Sequence, residues 1–401
     1  MPRKRRGRPS KTAEPPKKKT KSSKESTQKT SENTTFDKNG PLKAIPEIFT
    51  VPPPQPKRKK KPGQLTAKQL KQYFEEGFLP LPNLFKPEEL DPVREGVAKE
   101  VDRLANKLYD AGKIKDKHED AGLFERLTLI ENDFPGASVL LHKAGNLPVV
   151  FQKLWTNERL MNIMEQLIGP DIAGHPVWNL RCKTPRNEQA TVPWHQDNAY
   201  LDPSSQEVLQ PTAWIPLLDV NEHNGCLQVA RGGHRTGKLA KHVCCVGGTW
   251  YVELSEEDMV KTLEVDIKKD LVTCDLPYGG VLLMNNLIPH CSLENYSDKI
   301  RWSFDLRYQT PHKSAGFHGV KEHVLFRTKE DPKHVIDWEG FNKTHRTREQ
   351  MKESETSWHT KEDDFEFNTT ISGPWMSRWE LVHHNRHTAE LKKSAESWTK
   401  A

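Results

Sequence analysis

Residues 279–309 read GGVLLMNNLIPHCSLENYSDKIRWSFDLRYQ, two apolar runs joined by a polar segment. The runs GGVLLMN and IRWSFDLRYQ are short, rich in apolar and aromatic residues, and flanked by Gly, Pro, Asn or Asp, which is typical of β-strands. The same texture recurs upstream in VWNLRCK, AWIPLLDV and CLQVA, all of which follow Pro176. We therefore expect a β-sheet structure after Pro176.

Helical patterns precede these strands. In LTAKQLKQYFEEGF, Thr66 is the expected N-cap of a helix and Gly77 its end. Two further helices, one after Pro87 and one over residues 156–168, are expected because apolar residues recur there at three- and four-residue steps. Helices followed by short strands indicate an α+β or mainly β fold, a sandwich or barrel buttressed by N-terminal helices.

The whole chain has 401 residues, enough for one large domain or two small ones. It contains no run of eighteen apolar residues, so no membrane span is expected, and its first forty residues lack the apolar core of a secretory signal. The six cysteines show no CxxC spacing, which favours free thiols in a reducing compartment. The adjacent Cys244 and Cys245 are likewise expected to be ordinary thiols.

Charge divides the chain into two parts. Residues 1–62 hold 19 Lys and Arg but 5 Asp and Glu, a net charge of +14, so a whole-chain charge of +6 leaves −8 for residues 63–401. The first part has almost no apolar residues and cannot bury enough surface to offset its ordering entropy. We expect a disordered basic tail joined to an acidic folded body.

Residues 4–11, KRRGRPSK, resemble an AT-hook. Arg6 and Arg8 would sit in the negative potential of a narrow A·T minor groove, Gly7 would let the backbone approach, and Pro9 completes the Arg-Gly-Arg-Pro core. The alternative is a solvated lysine-rich tail with no specific partner. A·T-rich DNA is therefore an expected partner whose contact with the tail is left open.

Residues 56–63, PKRKKKPG, resemble a monopartite nuclear-localisation signal. Two separate basic clusters in one tail favour the nucleus, with the cytoplasm as the alternative. A mitochondrial presequence is not expected, because the tail contains acidic residues and has no amphipathic apolar face.

Metal-capable side chains stand in PWHQDNAY, residues 193–200, where His195 and Asp197 would share one face of a strand. Such a pair alone is often a surface histidine beside a solvated aspartate. His290, at the end of an apolar strand, supplies a third ligand. Two histidines and one carboxylate form a facial triad with open positions, which suits non-haem Fe(II), whereas structural zinc favours a closed set with more Cys or His.

Anion-binding side chains follow the third ligand. Arg301 stands eleven residues after His290 in a strand, and Ser292 stands two residues after it. A guanidinium binds a carboxylate through a planar fork of donors, and a hydroxyl adds another donor. These groups have the chemistry needed to hold the distal carboxylate of 2-oxoglutarate.

Together these motifs resemble the phytanoyl-CoA dioxygenase family of Fe(II)/2-oxoglutarate-dependent oxygenases. The resemblance extends over residues 64–312 and rests on LTAKQLKQYFEEGFLPLPNLF, WHQD, NGCLQVARGGHRTG and PYGGVLLMNNLIPHCSLENYSDKIRW. It implies a double-stranded β-helix core, also called a jelly roll or cupin-like fold. It further implies an oxygenase domain over residues 63–312, between the tail of residues 1–62 and a C-terminal extension of residues 313–401.

The resemblance also implies the roles of individual residues. The expected Fe(II) ligands are His195, Asp197 and His290, and the expected 2-oxoglutarate site is formed by Arg301, Ser292, Lys183 and Trp214. Gln196, between two ligands, is expected to point away from the iron. Because related halogenases have a small residue where this chain has Asp197, the carboxylate favours hydroxylation or another oxidation. The implied reaction uses O2 and 2-oxoglutarate, is helped by ascorbate, and releases succinate and CO2 while oxidising a small organic or lipid-like substrate.

Other functions remain open at this point. One is a chromatin-associated DNA-binding protein with the oxygenase fold as a scaffold, although a scaffold does not need a complete ligand set. Another is a nucleic-acid-modifying oxygenase, against which the acidic charge of residues 63–401 counts. The tryptophan-rich C-terminal extension, with GPWMSRWELVHHNRH at residues 373–387, is expected to pack on the domain, the alternative being a cover over the active site or a partner surface.

Overall fold

The computed structural model describes residues 44–56, 59–344 and 366–389, all within one unit that begins at Pro41. The helices are α1 (Pro46–Thr50), α2 (Ala67–Glu76), α3 (Pro87–Asp110), α4 (Arg126–Asp133), α5 (Ala137–Ala144), α6 (Val149–Trp155), α7 (Glu158–Ile168), α8 (Glu256–Leu263), α9 (Ile267–Asp270) and α10 (Trp338–Lys343). The strands are β1 (Phe78–Leu81), β2 (Ile172–Gly174), β3 (Asn179–Lys183), β4 (Thr212–Pro216), β5 (Leu227–Ala230), β6 (Val243–Cys244), β7 (Val252–Glu253), β8 (Leu271–Cys274), β9 (Val281–Met284), β10 (His290–Ser292), β11 (Arg301–Gln309), β12 (Val324–Arg327) and β13 (Glu380–Leu381). Within the described ranges, every helix is too short or too polar to cross a membrane.

The predicted helices are confirmed. In α2, the Thr66 hydroxyl accepts from the Gln69 backbone N–H at 3.2 Å, and the Gln69 side chain accepts from the Thr66 backbone N–H at 2.9 Å. These reciprocal bonds satisfy two of the donors that a helix start leaves unpaired. The helix ends at Gly77, whose φ of 86° is in the left-handed region where glycine has no Cβ penalty. Helices α3 and α7 likewise occupy the ranges expected from their apolar spacing.

The ordered part of the chain begins earlier than the expected boundary at residue 63. Helix α1 lies within the segment expected to be disordered, and Phe49 is completely buried. The Phe49 carbonyl accepts from the Asn285 side chain at 3.2 Å, and the Pro62 carbonyl accepts from the Asn162 side chain at 3.0 Å. A short apolar cluster in an otherwise polar tail is thus sufficient to dock residues 44–56 on the domain.

The predicted strands are also confirmed, and β11 is central to them. In the larger sheet the order is β1-β9-β4-β11-β2-β12, and β3 also pairs with β11. Strand β11 therefore pairs with β4 on one edge and with both β3 and β2 on the other, always antiparallel. All nine of its residues are buried, which explains its nearly continuous apolar and aromatic character.

Two antiparallel sheets pack against each other. The smaller sheet has the order β10-β5-β8 and carries His290 at the start of β10. One buried apolar cluster joins Trp214 and Leu282 of the larger sheet to Leu227 and Val229 of the smaller one. The fold is therefore a mixed α/β structure in which the helices cover antiparallel sheets.

A third small sheet, β13-β6-β7, joins the C-terminal extension to the domain through a parallel pairing of β13 with β6. The adjacent cysteines Cys244 and Cys245 are linked by a disulfide, so the expectation that they are ordinary thiols was wrong. Both residues are completely buried. Their spacing in the sequence did not indicate that their sulfur atoms are bonded. The cysteines at positions 182, 226, 274 and 291 are free.

Candidate active site

Three side chains expected to bind metal converge in the interior. Ligand atoms of His195, Asp197 and His290 all lie within 4.8 Å of one another, and each residue is buried. The Asp197 Oδ1 atom lies 3.6 Å from His195 Nε2 and 3.9 Å from His290 Nε2. In the described part of the chain this is the only such cluster of His, Cys, Asp and Glu.

The two histidines present ring lone pairs to the centre. His195 Nδ1 lies 2.8 Å from the Pro193 carbonyl and His290 Nδ1 lies 3.1 Å from the Ile288 carbonyl. A carbonyl can only accept, so each Nδ1 carries the proton and each Nε2 is left as a lone pair. Burial lowers the pKa of His290 to about 4, which also favours the neutral ring. Two ring lone pairs and a carboxylate facing one another fit a divalent cation.

The prediction that His195 and Asp197 share one face of a strand was wrong. His195 forms an isolated antiparallel bridge with His290, but Asp197 begins a short 3-10 helix over Asp197–Tyr200. The side chain of Asn198 holds this turn, donating to the Ser205 carbonyl at 3.3 Å and accepting from the Asn286 amide at 2.8 Å. Neither contact follows the two-residue alternation of a strand, and Asn286 lies 88 positions away, so local alternation could not indicate them.

Asp197 is held by Arg307, which the sequence analysis did not identify. The Arg307 Nε donates to Asp197 Oδ2 at 3.0 Å and its Nη2 donates to Oδ1 at 2.9 Å. The Thr212 hydroxyl adds a bond to Oδ2 at 3.2 Å. Burial alone would raise the pKa of the Asp197 carboxyl, but the Arg307 guanidinium holds it well below its usual range. The second basic residue of IRWSFDLRYQ, on the same strand face as Arg301, was the available signal.

The residues expected at the co-substrate line one cavity beside His195 and His290. They are Lys183, Trp214, Ser292 and Arg301. The Arg301 guanidinium carbon lies 5.3 Å from the centre of the Trp214 ring, and Nη1 donates to the Ser303 hydroxyl at 2.6 Å. Its Nε is buried and has no hydrogen-bond partner within the described ranges. A buried unsatisfied donor is unfavourable, and a ligand carboxylate in this cavity would satisfy it.

Lys183 and Ser292 line the same cavity, and a hydrogen bond holds the polar atom of each side chain. Lys183 Nζ donates to the Thr191 hydroxyl at 3.0 Å, and the Ser292 oxygen accepts from the Val192 backbone N–H at 2.9 Å. Burial, followed by the nearby Arg301, lowers the pKa of Lys183 well below its ordinary value. A Cβ at Gly225 would come within 2.7 Å of the Lys183 side chain, so a glycine there gives the lysine room.

Gln196 points away from the cluster, in the expected direction. Its side chain donates to the carbonyls of Lys238 and Leu287 at 3.0 and 2.7 Å and accepts from the Ala240 backbone N–H at 2.9 Å. These bonds anchor the segment between the two ligands to a neighbouring loop.

A second cavity, partly open to solvent, lies beside Asp197 and has a volume of about 110 Å³. It is lined by aromatic and apolar groups that include Tyr200, Trp250 and Phe317, and also by Ile371 and Trp375 of the C-terminal extension. The residues common to both cavities are His142, Arg181, His195, Trp250, Tyr251 and Arg307. The candidate metal cluster therefore faces two neighbouring cavities.

The sequence profile of Phytanoyl-CoA dioxygenase (PhyH) matches residues 73–303 of this chain. The chain belongs to the phytanoyl-CoA dioxygenase family. The matched range contains the three candidate metal ligands together with Arg301. It ends before Arg307 and before the C-terminal extension, so family membership by itself does not assign roles to these parts.

Curated relatives within the family are distant. The 1-deoxypentalenic acid 11-beta-hydroxylase of Streptomyces arenae is 25% identical over 179 residues, covering 43% of this chain and 61% of that protein. The phytanoyl-CoA dioxygenase of Arabidopsis thaliana is 28% identical over 145 residues, covering 35% of this chain and 46% of the relative. The chain thus spans less than two thirds of the length of these relatives.

Solved structures that resemble this chain are also distant from it in sequence. The apo non-heme monooxygenase ThoJ is 19% identical with a TM-score of 0.46, over 72% of this chain and 99% of that one. EctD from S. alaskensis, solved with 2-oxoglutarate and 5-hydroxyectoine, is 15% identical with a TM-score of 0.45, over 68% of this chain and 84% of that one.

The DNA contacts expected of the tail concern Arg6, Gly7, Arg8 and Pro9, which lie outside the described residues. Of the nuclear-localisation-like segment, residues 57 and 58 also lie outside them. Lys59 and Lys60 are exposed, and Lys61 forms an ion pair with Glu165 at 2.6 Å.

Proposed function

We propose that this chain is an Fe(II)/2-oxoglutarate-dependent dioxygenase that hydroxylates a small organic or lipid-like substrate and releases succinate and CO2. The observation that carries the proposal is a buried carboxylate facing two histidine lone pairs, with an unsatisfied arginine in the adjoining cavity. A relative named as a hydroxylase of 1-deoxypentalenic acid and an EctD structure containing 2-oxoglutarate support the same chemistry.

Each side chain has a role in this reaction. His195, Asp197 and His290 would hold Fe(II), which supplies the oxygen-activating chemistry when bound. Arg301 would bind the distal carboxylate of 2-oxoglutarate, since its buried Nε needs an acceptor. The indole of Trp214 would exclude water from the co-substrate cavity, in which it is almost completely buried.

We also propose that the two packed sheets form a double-stranded β-helix. The metal ligand His290 comes from β10 of the smaller sheet, and the proposed co-substrate residue Arg301 comes from β11 of the larger one. A site built between two facing sheets can take ligands from both, and rigid strands set their separation.

The test is succinate release from 2-oxoglutarate by the full-length protein with Fe(II), ascorbate and O2. Succinate that depends on Fe(II) and is lost in both Asp197→Ala and Arg301→Ala would support the proposal. Calorimetry of Mn(II) binding to the same proteins gives a second readout, in which only Asp197→Ala is expected to weaken the metal. An inactive wild-type protein that binds neither Mn(II) nor 2-oxoglutarate would contradict the proposal and leave the scaffold function.

For the N-terminal segment, the basic clusters support a proposal of nuclear import, and two of their lysines, Lys59 and Lys60, are exposed. The full chain fused to a fluorescent protein should accumulate in nuclei, and Lys59→Ala with Lys60→Ala should reduce that accumulation. Contact with A·T-rich DNA is a separate proposal. It predicts a salt-dependent gel shift that prefers an A·T-rich duplex to a G·C-rich one.

A further inference from the structure

Arg181 occupies the wall between the two cavities. It lies on β3, two residues before Lys183, and lines both the co-substrate cavity and the second cavity. Its Nε donates to Asp305 Oδ2 at 2.8 Å. The Arg181 side chain is 24% exposed and that of Asp305 only 10% exposed, so part of the arginine side chain is accessible from the cavities that it lines.

Only part of this guanidinium is used. An arginine has five N–H donors, and Nε provides one of them. Among the described residues, neither Nη atom of Arg181 has a hydrogen-bond partner. Asp305 also accepts from the Asn179 amide at 3.4 Å, which restrains the carboxylate that orients the arginine. One edge of Arg181 is therefore fixed and the other is available to a bound molecule.

The charges around the second cavity favour an anion. Its charged lining residues are Lys143, Arg181, Arg307 and Asp197, apart from histidines. Asp197 is bonded through both oxygens to Arg307, so this pair is neutral as a unit. Arg181 is paired with Asp305 in turn, but Asp305 lines only the co-substrate cavity. Among the described residues, the wall of the second cavity therefore holds no acidic side chain beyond Asp197, whereas Arg181 and Lys143 add positive charge to it. An amine at this site would meet cationic side chains and a metal ion, which is unfavourable electrostatically.

The remaining wall of the second cavity is apolar and aromatic. Phe317, Ile371 and Trp375 contribute to it, together with Trp250 and Tyr251. Such a surface would pack against a carbon skeleton, while a charged group placed in it would require a fixed polar partner.

We propose that the free edge of Arg181 binds the anionic group of the primary substrate, which is an organic acid with an apolar body. This inference rests on the proposed oxygenase function and adds a substrate class to it. Asp305 lines the co-substrate cavity but not the second one, so a carboxylate held by Arg181 avoids the Asp305 carboxylate on the side of the second cavity. Asp305 is a positioning residue that orients Arg181.

The test uses matched probes: 1-naphthoic and decanoic acids, each beside its methyl ester. They are titrated calorimetrically into the full-length protein with saturating Fe(II) and 2-oxoglutarate under nitrogen, so that the co-substrate occupies Arg301 before the probe is added. Each acid should bind at least ~10-fold more tightly than its ester, since hydrogen bonds to charged groups are stronger than neutral ones. Arg181→Gln should reduce that preference to about one.

Arg186→Gln is the matched control, because Arg186 lies three residues beyond β3 and its side chain is 64% exposed. It should retain the wild-type acid preference. If Arg181→Gln fails to fold, the double variant Arg181→Met with Asp305→Asn removes the guanidinium without leaving an uncompensated buried carboxylate. It too should lose the preference for acids.

Three results would overturn the inference: no acid bound more tightly than its ester, an acid preference that survives in the Arg181 variants, or variants that weaken only 2-oxoglutarate. The last result would assign Arg181 to the co-substrate. Succinate release from the same wild-type protein tests the proposed function separately. An Arg181-dependent acid preference without succinate would reject the oxygenase and leave the anion site, and the reverse pattern would reject the anion site alone.

Discussion

Arg307 contacts both carboxylate oxygens of Asp197, at 3.0 and 2.9 Å, and both side chains are almost completely buried. Oδ2 also accepts from Thr212, whereas Oδ1 faces the two histidine rings. The carboxylate is consequently oriented to offer one oxygen to a metal. This orientation depends on a residue outside the family match, on the same strand as Arg301.

The first prediction concerns this pair. Arg307→Gln should weaken Mn(II) binding about 10- to 100-fold, because groups that orient a metal ligand typically have effects of that size. Calorimetry on the full-length protein measures the change. Thr212→Val is the control. It removes only the 3.2 Å hydrogen bond to Asp197 Oδ2 and should weaken Mn(II) binding less. Equal metal affinity in wild type and Arg307→Gln would show that Asp197 does not need this partner.

The second prediction separates charge from geometry at Arg301. Arg301→Lys keeps the charge but loses the planar fork, so KM for 2-oxoglutarate should rise about 10- to 100-fold. Mn(II) affinity should be nearly the same as in the wild type, since Arg301 is not among the candidate metal ligands. The measurement is succinate release as a function of 2-oxoglutarate. A KM unchanged in Arg301→Lys would argue against a bidentate contact.

The third prediction concerns pH and His175, which is completely buried. Its Nε2 bonds the Ala315 carbonyl at 2.8 Å and its Nδ1 accepts from the Val177 N–H at 3.0 Å. Burial lowers the pKa of His175 to about 4, below the ordinary 6.5 of the unfolded chain. The unfolded state therefore binds the extra proton first, and stability is lost as pH falls from about 6.5 to about 4.

His175 should contribute up to about 3 kcal/mol to this loss of unfolding free energy, from the difference between the two pKa values. Urea unfolding at a series of pH values measures it. His175→Gln should have a shallower pH dependence than the wild type. His312→Gln is the control, because the His312 side chain is 67% exposed and should leave the wild-type slope in place. A His175→Gln slope as steep as the wild type would reject the assignment.

The fourth prediction concerns the C-terminal extension. Trp375 is buried beside Tyr200 and Trp250, and its indole donates to the Trp250 carbonyl at 3.3 Å. Trp379 donates to the Ala199 carbonyl at 2.8 Å, which lies in the turn that begins at Asp197. Trp375→Ala should therefore reduce the unfolding free energy by about 3 kcal/mol or more.

Trp375→Phe keeps most of the buried ring and should lose much less stability than Trp375→Ala. Urea unfolding compares the two variants. If both variants were as stable as the wild type, the extension would contribute little to the stability of the fold. The packing of Trp375 would then not be what holds the extension in the wall of the second cavity.

Local sequence patterns predicted several features of this protein. The Thr66 cap and Gly77 end of α2 were readable because capping uses residues within one turn of each other. Buried strands such as β11 were readable from their composition. The spacing from His290 to Arg301 pointed to the metal and co-substrate chemistry, since these residues lie at the starts of consecutive strands.

The sequence was therefore sufficient for three of the helices, five of the strands, the family and the triad of residue types that defines the chemistry. Tertiary structure determined the clamp of Arg307 on Asp197, the pairing of Arg181 with Asp305 and the docking of Trp375 beside the second cavity. Each of these contacts joins residues more than one hundred positions apart. Hydrogen bonds and packing at such separations depend on how sheets and loops meet, and no local periodicity in a single chain records that.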